Sequence, residues 1–322
     1  MKYVFGPVSS RRLGQSLGID TIPLKTCNWN CIYCQLGRTR PLINERKDYT
    51  PTEIILEEVR EAMERHDPSE IDWITFVGSG EPTLHKSVGW LIRSVMEITN
   101  LPVAVITNGS LLYLPEVRQE LLLADAVLPS LDAGIDQLYR KINRPHPEIT
   151  FKRLLQGLID FRQEYLHKLW IEVMLMKGIN DNEKTLVEIA AILEKIGPDE
   201  IHINLPSRPP VETWVKPADE KGLLRAKAVL GENAKVVQPA GGTFELDGID
   251  DIVEAIIGII SRHPIKEKEL TVTLANWSPN KVDEVLLGLL TSRRVKIVNR
   301  YGEHFWTAAT ANFPEKDNLK TH

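Results

Sequence analysis

The sequence predicts an α/β fold, in which a partial, TIM-like (β/α)6 barrel is followed by a small C-terminal winged-helix module. Short β-rich apolar runs alternate with amphipathic helical patterns as far as Leu230. After Ile249 this alternation is replaced by three helical periods and a hairpin pattern. The chain has 322 residues, of which 43% are hydrophobic and 26% charged. This length and composition suit one large globular domain with a small one beside it.

Six strands are predicted, each an apolar run bounded closely by Gly, Pro, Asn or Asp. They cover residues 17–23, 73–77, 103–107, 126–131, 170–176 and 201–205. Helical periods lie at residues 51–65, 87–99, 116–123, 151–165, 183–195 and 218–230. The alternation is typical of parallel strands joined by right-handed crossovers. A closed eightfold barrel needs two more strands before Leu230, and the pattern predicts none there.

The change of pattern predicts the domain boundaries. Residues 1–234 form the barrel domain, 235–248 a linker rich in Pro and Gly, 249–311 the winged-helix-like domain and 312–322 a flexible tail. Inside the module, helical periods at 252–262, 267–275 and 280–293 precede a hairpin at 295–300 and 304–307. Three helices and a hairpin are the plan of a winged helix.

The charge balance argues against nucleic acid as the partner of this module. The whole chain carries a net charge of −5, and residues 249–322 hold ten basic and ten acidic side chains. Domains that bind nucleic acid are typically basic. Arg293, Arg294 and Lys296 offer contacts to phosphates, but Asp283 and Glu284 on the third helix repel them. Docking of a protein or peptide, or an interdomain role, is favoured. A passive cap over the barrel is the alternative.

No targeting or membrane segment is predicted. The N-terminus has no apolar core of a signal peptide, and no apolar run reaches the length of a membrane span. The three cysteines lie within eight residues of one another, which does not fit a secreted disulfide framework. We therefore expect a cytoplasmic protein with no membrane partner.

The cysteines form one compact C-x-x-x-C-x-x-C loop, made of Cys27, Cys31 and Cys34, directly after the first predicted strand. Three thiolates on one loop can hold three corners of an iron–sulfur cube, whereas a cube ligated only by cysteine needs four. Because the chain has no fourth cysteine, one iron is open to another ligand. Inert core cysteines and a structural zinc site are the alternatives. Zinc is disfavoured because no matched Cys/His pair follows the loop.

Tyr33 stands just before the last cysteine, and the loop C-x-x-x-C-x-[aromatic]-C resembles the signature of the radical S-adenosylmethionine (SAM) superfamily. The resemblance implies a [4Fe–4S] cluster on Cys27, Cys31 and Cys34, with SAM on the open iron and Tyr33 near the adenine. It also implies a reducing electron donor such as ferredoxin or flavodoxin. Reduction then releases methionine and a 5′-deoxyadenosyl radical that abstracts hydrogen from a substrate. The superfamily core is a six-stranded partial barrel.

The ends of the other predicted strands carry polar groups that also resemble this superfamily. Gly78, Gly80 and Glu81 lie in Gly-Ser-Gly-Glu-Pro-Thr, which is similar to the Gly-Gly-Glu-Pro motif that binds the SAM amino group, and Ser79 departs from that motif. The resemblance further implies contacts to SAM from residues at the next strand ends, namely Asn108, Ser130, Asp132 and Asn204. An ordinary strand–helix turn and helix caps are the alternatives for these groups.

Three further segments resemble a poorly characterised radical SAM group related to wybutosine tRNA synthases. They are residues 5–14, 36–39 and 142–145. The chain departs from those synthases because it lacks the second set of cysteines for an auxiliary cluster, so their reaction is not carried over. Candidates for an anion or substrate site are Tyr3, Arg11, Arg12, Arg38, Arg40, Asn143 and Arg144, and Arg208 is a candidate for SAM or substrate. Solvated surface charges are the alternative.

The sequence therefore predicts a radical SAM enzyme that acts on a macromolecule, either tRNA or a protein or peptide. It does not identify a catalytic residue beyond the cofactor ligands. The second hypothesis is an activase of a glycyl-radical enzyme. The third is a non-catalytic iron–sulfur regulator that binds nucleic acid.

Overall fold

A computed structural model describes residues 2–237 and 251–314 of the chain. The described residues contain an eight-stranded sheet with the strands in sequence order. The first two strands form an antiparallel hairpin, and the second to eighth run parallel. The strands are β1 Val4–Ser10, β2 Gly14–Ile19, β3 Trp73–Phe76, β4 Val103–Thr107, β5 Ala126–Pro129, β6 Lys168–Met174, β7 Glu200–Asn204 and β8 Ala234–Val236. This mostly parallel sheet confirms the predicted α/β partial barrel.

Helices connect the parallel strands. They are α1 Thr52–Arg65, α2 Val88–Ile98, α3 Pro115–Leu121, α4 Asp136–Asn143, α5 Phe151–Glu164, α6 Glu183–Ile196 and α7 Glu220–Leu230. Capping residues explain where a helix begins and ends. The Asn182 side chain accepts a hydrogen bond from the Thr185 N–H and caps α6, which ends at Gly197 with a φ of 66°. The sequence-based prediction missed α4, which has only eight residues although one of its faces is buried.

Two strands lie outside the predicted set. The prediction that no further strand precedes Leu230 is wrong, because β1 pairs with β2 at one edge of the sheet. β1 contains Gly6 and Pro7, and its register shifts between Phe5 and Val8, so its sequence does not show a regular alternation. β8 at the other edge has three residues and reaches into the predicted linker. The rest of that linker, from residue 238 to 248, lies outside the described residues.

The barrel has two separate apolar layers, which β4 divides. Val103 and Val105 pack into the large core between the sheet and the helices. The intervening residue, Ala104, points to the other face of the sheet, where it packs in a smaller cluster with Leu128 and Trp170. This smaller cluster fills part of the barrel interior and leaves polar side chains at the carboxyl ends of the strands.

The C-terminal module has its own core. Its elements are α8 Ile252–Arg262, β9 Ile265–Lys266, α9 Glu267–Trp277, α10 Val282–Thr291, β10 Val295–Arg300 and β11 Glu303–Ala308. The strands form an antiparallel sheet in the order β10-β11-β9. Its helices pack on Trp306, which is 1% exposed. Helices and a hairpin therefore lie where they were predicted, while assignment to the winged-helix class stays a prediction.

We propose that residues 1–234 and residues 249–311 are separate domains, because each has a hydrophobic core of its own. Of the predicted tail, residues 315–322 lie outside the described part. Among the described helices, none has the length and hydrophobicity that a bilayer crossing requires.

Candidate functional site

The cysteine loop opens into a cavity of about 520 Å³ at the carboxyl ends of the parallel strands. This volume lies within the range of roughly 300–1,000 Å³ that is usual for small-molecule sites. The structure brings together in its lining these sequence-predicted residues: Cys27, Cys31, Cys34, Tyr33, Gly78, Gly80, Asn204, Arg11, Arg12 and Arg208. Polar groups from distant parts of the chain thus converge on the thiols.

The three thiols are half-buried and form no disulfide. The Lys25 ammonium donates to Cys34 Sγ at 3.1 Å, and the Asn143 amide lies 3.7 Å from Cys31 Sγ. Burial raises the pKa of Cys27 to about 12 and that of Cys31 well above its usual range. Thiols in such surroundings stay protonated in the free protein and release their protons to solvent when a metal binds the sulfur.

The donor set fits an iron–sulfur cube better than a single ion. Among residues 2–237 and 251–314, no group of three or more His, Cys, Asp or Glu side chains is arranged to hold one metal ion. The cysteines of a cube bind different irons, so they need not converge on one point. The cavity beside the three thiols, with a cation and amide donors at the sulfurs, suits a cluster with one open iron.

The turn after β3 lies directly on the cysteine loop. The Lys25 N–H donates to the Ser79 carbonyl at 2.7 Å, and the Glu81 N–H donates to the Thr26 carbonyl at 2.9 Å. A Cβ on Gly80 would lie 1.9 Å from that Thr26 oxygen. Glycine is therefore required at position 80 by the contact between these two backbones.

Glu81 is 1% exposed, and its carboxylate is already hydrogen-bonded inside the protein. It accepts from the Thr83 N–H at 3.0 Å and hydroxyl at 2.6 Å, from the Thr107 hydroxyl at 2.5 Å, and from the Asn108 N–H at 2.7 Å. Three of these bonds go to Oε1 and one to Oε2, so most of the acceptor positions of the carboxylate are used. Burial raises the pKa of Glu81, and these bonds lower it. In this conformation Glu81 joins the ends of β3 and β4.

Asp132 has a similar supporting position behind Tyr33. It accepts from the Tyr33 hydroxyl at 2.6 Å, the Asn143 amide at 2.7 Å and the Met174 N–H at 2.8 Å. Burial raises the pKa of Asp132 to about 6, although these donors act in the opposite direction. Asp132 thereby positions the aromatic side chain before the last cysteine and the amide beside Cys31.

Asn108 and Ser130 also stand behind the lining of the cavity. The Asn108 amide donates to the Asn28 side-chain oxygen at 2.8 Å and lies 3.8 Å from Cys27 Sγ. Ser130 pairs through its backbone with Glu172 of β6, whose side chain lines the cavity. These contacts join the strand ends to the cysteine loop.

Several predicted anion-site residues are used elsewhere. Arg38 and Arg144 form ion pairs with Glu212, which is 1% exposed. Arg40 is exposed, and the Tyr3 N–H donates to a Glu58 carboxylate oxygen at 2.7 Å. These four candidates therefore do not join Arg11, Arg12 and Arg208 at the cavity.

The C-terminal module forms one wall of the same cavity. An interdomain role and a cap over the barrel were among the expectations for this module, but the residues that form the wall were not predicted. Module residues in the lining include His263, Lys266, Glu269 and Phe305. No signal in the sequence identifies these residues, because their position depends on how the module docks. Asp20 was missed as well, although it follows β2 at the carboxyl edge where ligand sites form.

Comparison with known proteins agrees with this site. Residues 21–190 match the model of the radical SAM superfamily. The chain is 35% identical over 272 residues to a UPF0026 protein of Methanocaldococcus jannaschii, which covers 83% of this chain and 84% of that protein. The fold of this chain is similar to that of a radical SAM methyltransferase from Sphaerobacter thermophilus, with a TM-score of 0.52. The two are 20% identical, and the match covers 69% of this chain and 66% of that one.

A further relative is much longer than this chain. The chain is 39% identical over 307 residues to the GTPase Obg of Brachyspira hyodysenteriae, a match that covers 92% of this chain and 44% of that protein. The sequence has no Gly-Lys dipeptide and so no phosphate-binding P-loop.

The superfamily model spans more than half of the chain and includes all three cysteines. This chain therefore belongs to the radical SAM superfamily.

Proposed function

We propose that this superfamily member reductively cleaves SAM at a single [4Fe–4S] cluster held by Cys27, Cys31 and Cys34. The observation that carries the proposal is that the only three thiols of the sequence line one cavity. When bound, the cluster supplies one electron and one open iron, and cleavage gives methionine and a 5′-deoxyadenosyl radical.

The residues that line the cavity are the proposed contacts to SAM. Gly78 and Gly80 bring backbone to the lining of the cavity, and Tyr33 presents a ring that Asp132 fixes in place. Asn204 at the end of β7 adds a buried amide. Neutral groups of this kind can bind the adenine and ribose by stacking and hydrogen bonding.

Some of the predicted SAM contacts lie behind the residues that line the cavity, and we assign a positioning role to them. Glu81 and Asp132 accept hydrogen bonds from groups on neighbouring strand ends, and Asn108 lies beside Cys27. Ser130 holds the end of β5 against β6. Such outer contacts hold ligand groups in register with a metal site.

The cavity favours an enzyme over a regulator, because it can hold small molecules next to the thiols. A tRNA, protein or peptide substrate stays a prediction, as does an electron donor such as ferredoxin or flavodoxin. The activase and the nucleic-acid-binding regulator remain alternatives with no specific observation in their favour.

Anaerobic reconstitution tests the cluster assignment. We expect about four iron and four sulfide per chain and an electron paramagnetic resonance spectrum of the reduced cluster that changes when SAM is added. Cys31→Ala should lose the cluster, while a change at the exposed, unrelated Arg93 should keep it. Full iron loading without any spectral response to SAM would support the regulator instead.

A further inference from the structure

Resting on the proposed function, we infer that Arg11, Arg208 and His263 form a recognition site for an anionic group of the substrate, a carboxylate or a phosphate. The three residues come from the turn between β1 and β2, the segment after β7, and the segment after α8. All three line the cavity into which the cysteines open. The site therefore joins the barrel to the C-terminal module.

The cavity has more positive charge in this region than its acidic side chains neutralise. Arg12 is paired with Glu172, and Arg262 with Asp20. Within residues 2–237 and 251–314, neither Arg11 nor Arg208 takes part in an ion pair. A guanidinium that is half-buried without a carboxylate partner is costly unless a ligand supplies the negative charge.

The cationic groups also repel one another. The pKa of Arg208 is lowered to about 10, first by burial and then by Arg11, while Glu269 acts in the opposite direction. The pKa of Arg11 is likewise lowered by burial and then by Arg12, and Glu172 and Glu269 oppose this. An anion bound between Arg11 and Arg208 relieves this repulsion, which favours binding.

His263 fixes the orientation of Arg208 in the site. The Arg208 guanidinium lies 2.7 Å from His263 Nδ1. An arginine can only donate, so Nδ1 is the acceptor and Nε2 carries the proton. Burial and the neighbouring arginines lower the pKa of His263 well below its usual range, which keeps the ring neutral. The neutral ring therefore holds the Arg208 guanidinium in place for an anion that both guanidinium groups bind.

The surroundings restrict the class of substrate further. Phe5, Ile259, Ile265 and Phe305 line the same cavity beside these polar groups. An apolar wall next to two guanidinium groups suits a substrate with an aliphatic or aromatic body and an acidic end. The apolar body would present the C–H bond, and the acidic end would fix its position.

Anion binding to the full-length, cluster-loaded protein with SAM present tests the inference. Inorganic phosphate and isovalerate are titrated separately by calorimetry at low salt, so that the two arms distinguish a phosphate from a carboxylate on an apolar body. We expect one of them to bind. Arg208→Gln and Arg11→Gln should each weaken that binding by about tenfold or more, because a charge-assisted contact is lost.

Matched variants separate recognition from general charge and from folding. Arg208→Lys keeps the charge but not the planar fork and should fall between wild type and Arg208→Gln. Arg93→Gln removes an exposed arginine on α2 and should bind the anion like wild type. If Arg208→Gln does not fold, as judged by circular dichroism, Arg11→Gln in the β1–β2 turn decides the question.

Three results would overturn the inference. The first is that neither anion binds the wild type. The second is that the Arg11 and Arg208 variants bind the anion as tightly as the wild type does. The third is that Arg208→Gln weakens SAM binding as much as anion binding, which would assign the arginines to the SAM carboxylate. A wild-type protein that binds the anion but releases no 5′-deoxyadenosine contradicts the proposed function and supports this anion site.

Discussion

The Arg262 guanidinium donates from Nε to a carboxylate oxygen of Asp20 across 2.8 Å. The same oxygen accepts from the Ser79 hydroxyl at 2.6 Å, so Asp20 joins the C-terminal module to the turn after β3. The side chain of Asp20 is 4% exposed and that of Arg262 is 16% exposed. This pair thus connects α8 to the strand ends that carry the site.

We expect Arg262→Met to destabilise the protein strongly, because it leaves the buried Asp20 carboxylate without its cation. Breaking one side of a buried pair typically costs about 3–5 kcal/mol. Urea denaturation measures this free energy. The exposed pair of Arg294 with Glu254 supplies the control, since Arg294→Met should cost at most about 1 kcal/mol. Equal losses in the two variants would mean that the pair does not anchor the module.

Gly80→Ala should damage the cysteine loop. The added methyl group would lie 1.9 Å from the Thr26 carbonyl oxygen and 2.7 Å from Ile22 Cγ2. Because backbone must move to relieve this, we expect a loss of stability on the order of 2 kcal/mol or more and lower iron content after reconstitution. Gly78→Ala is the control, since its nearest neighbours would be 3.4 Å away. A Gly80→Ala protein with normal iron content and stability would contradict this packing.

Lys25→Met should lower the reduction potential of the cluster. The Lys25 ammonium donates to Cys34 Sγ at 3.1 Å, and a cation at a ligand sulfur favours the more negative, reduced cluster. A redox titration followed by electron paramagnetic resonance measures the shift. Lys195→Met removes an exposed lysine on α6 and should leave the potential unchanged. An unchanged or raised potential in Lys25→Met would argue against this contact in the loaded protein.

His263 should make the protein less stable in acid. Its pKa is lowered well below the usual value by burial and by Arg208, Arg262, Arg11 and Arg12, so the unfolded chain binds a proton before the folded one does. As the pH falls below about 6.5, the unfolded state gains up to about 1.4 kcal/mol per pH unit. The Phe5 ring, which also packs on His263, does not titrate.

His263→Gln removes this effect while it keeps a polar side chain. We expect the stability difference between pH 7.5 and 5.5 to be smaller in His263→Gln than in wild type, as measured by urea denaturation. His167→Gln changes an exposed histidine far from these arginines in the chain and serves as the control. A pH dependence that stays the same in His263→Gln would show that the ring is protonated in the folded state.

The sequence predicts the parallel core well because its signals are local. Each predicted strand overlaps an observed one, and α8 and β10 have the predicted bounds. β1 and β8 were missed for physical reasons. The Gly6-Pro7 pair and a register shift hide the alternation of β1, and three residues are too few to show that of β8.

The sequence could predict only those residues of the candidate site that lie close together along the chain. Cys27, Cys31 and Cys34 lie within one loop, so the sequence alone could predict that they lie together in one site. The residues by which the C-terminal module meets the barrel could not be predicted, because Arg262 and Asp20 are 242 residues apart. The hydrogen bonds that occupy Glu81 and Asp132 were also hidden, since they come from neighbouring strand ends.

We propose that these three cysteines hold a cluster that cleaves SAM. Quantification of 5′-deoxyadenosine, after the anaerobically reconstituted protein is mixed with SAM and dithionite, tests this proposal. We expect 5′-deoxyadenosine that depends on the reductant, from wild type but not from Cys31→Ala. A wild-type protein with about four iron per chain that binds SAM and forms no 5′-deoxyadenosine would contradict the claim.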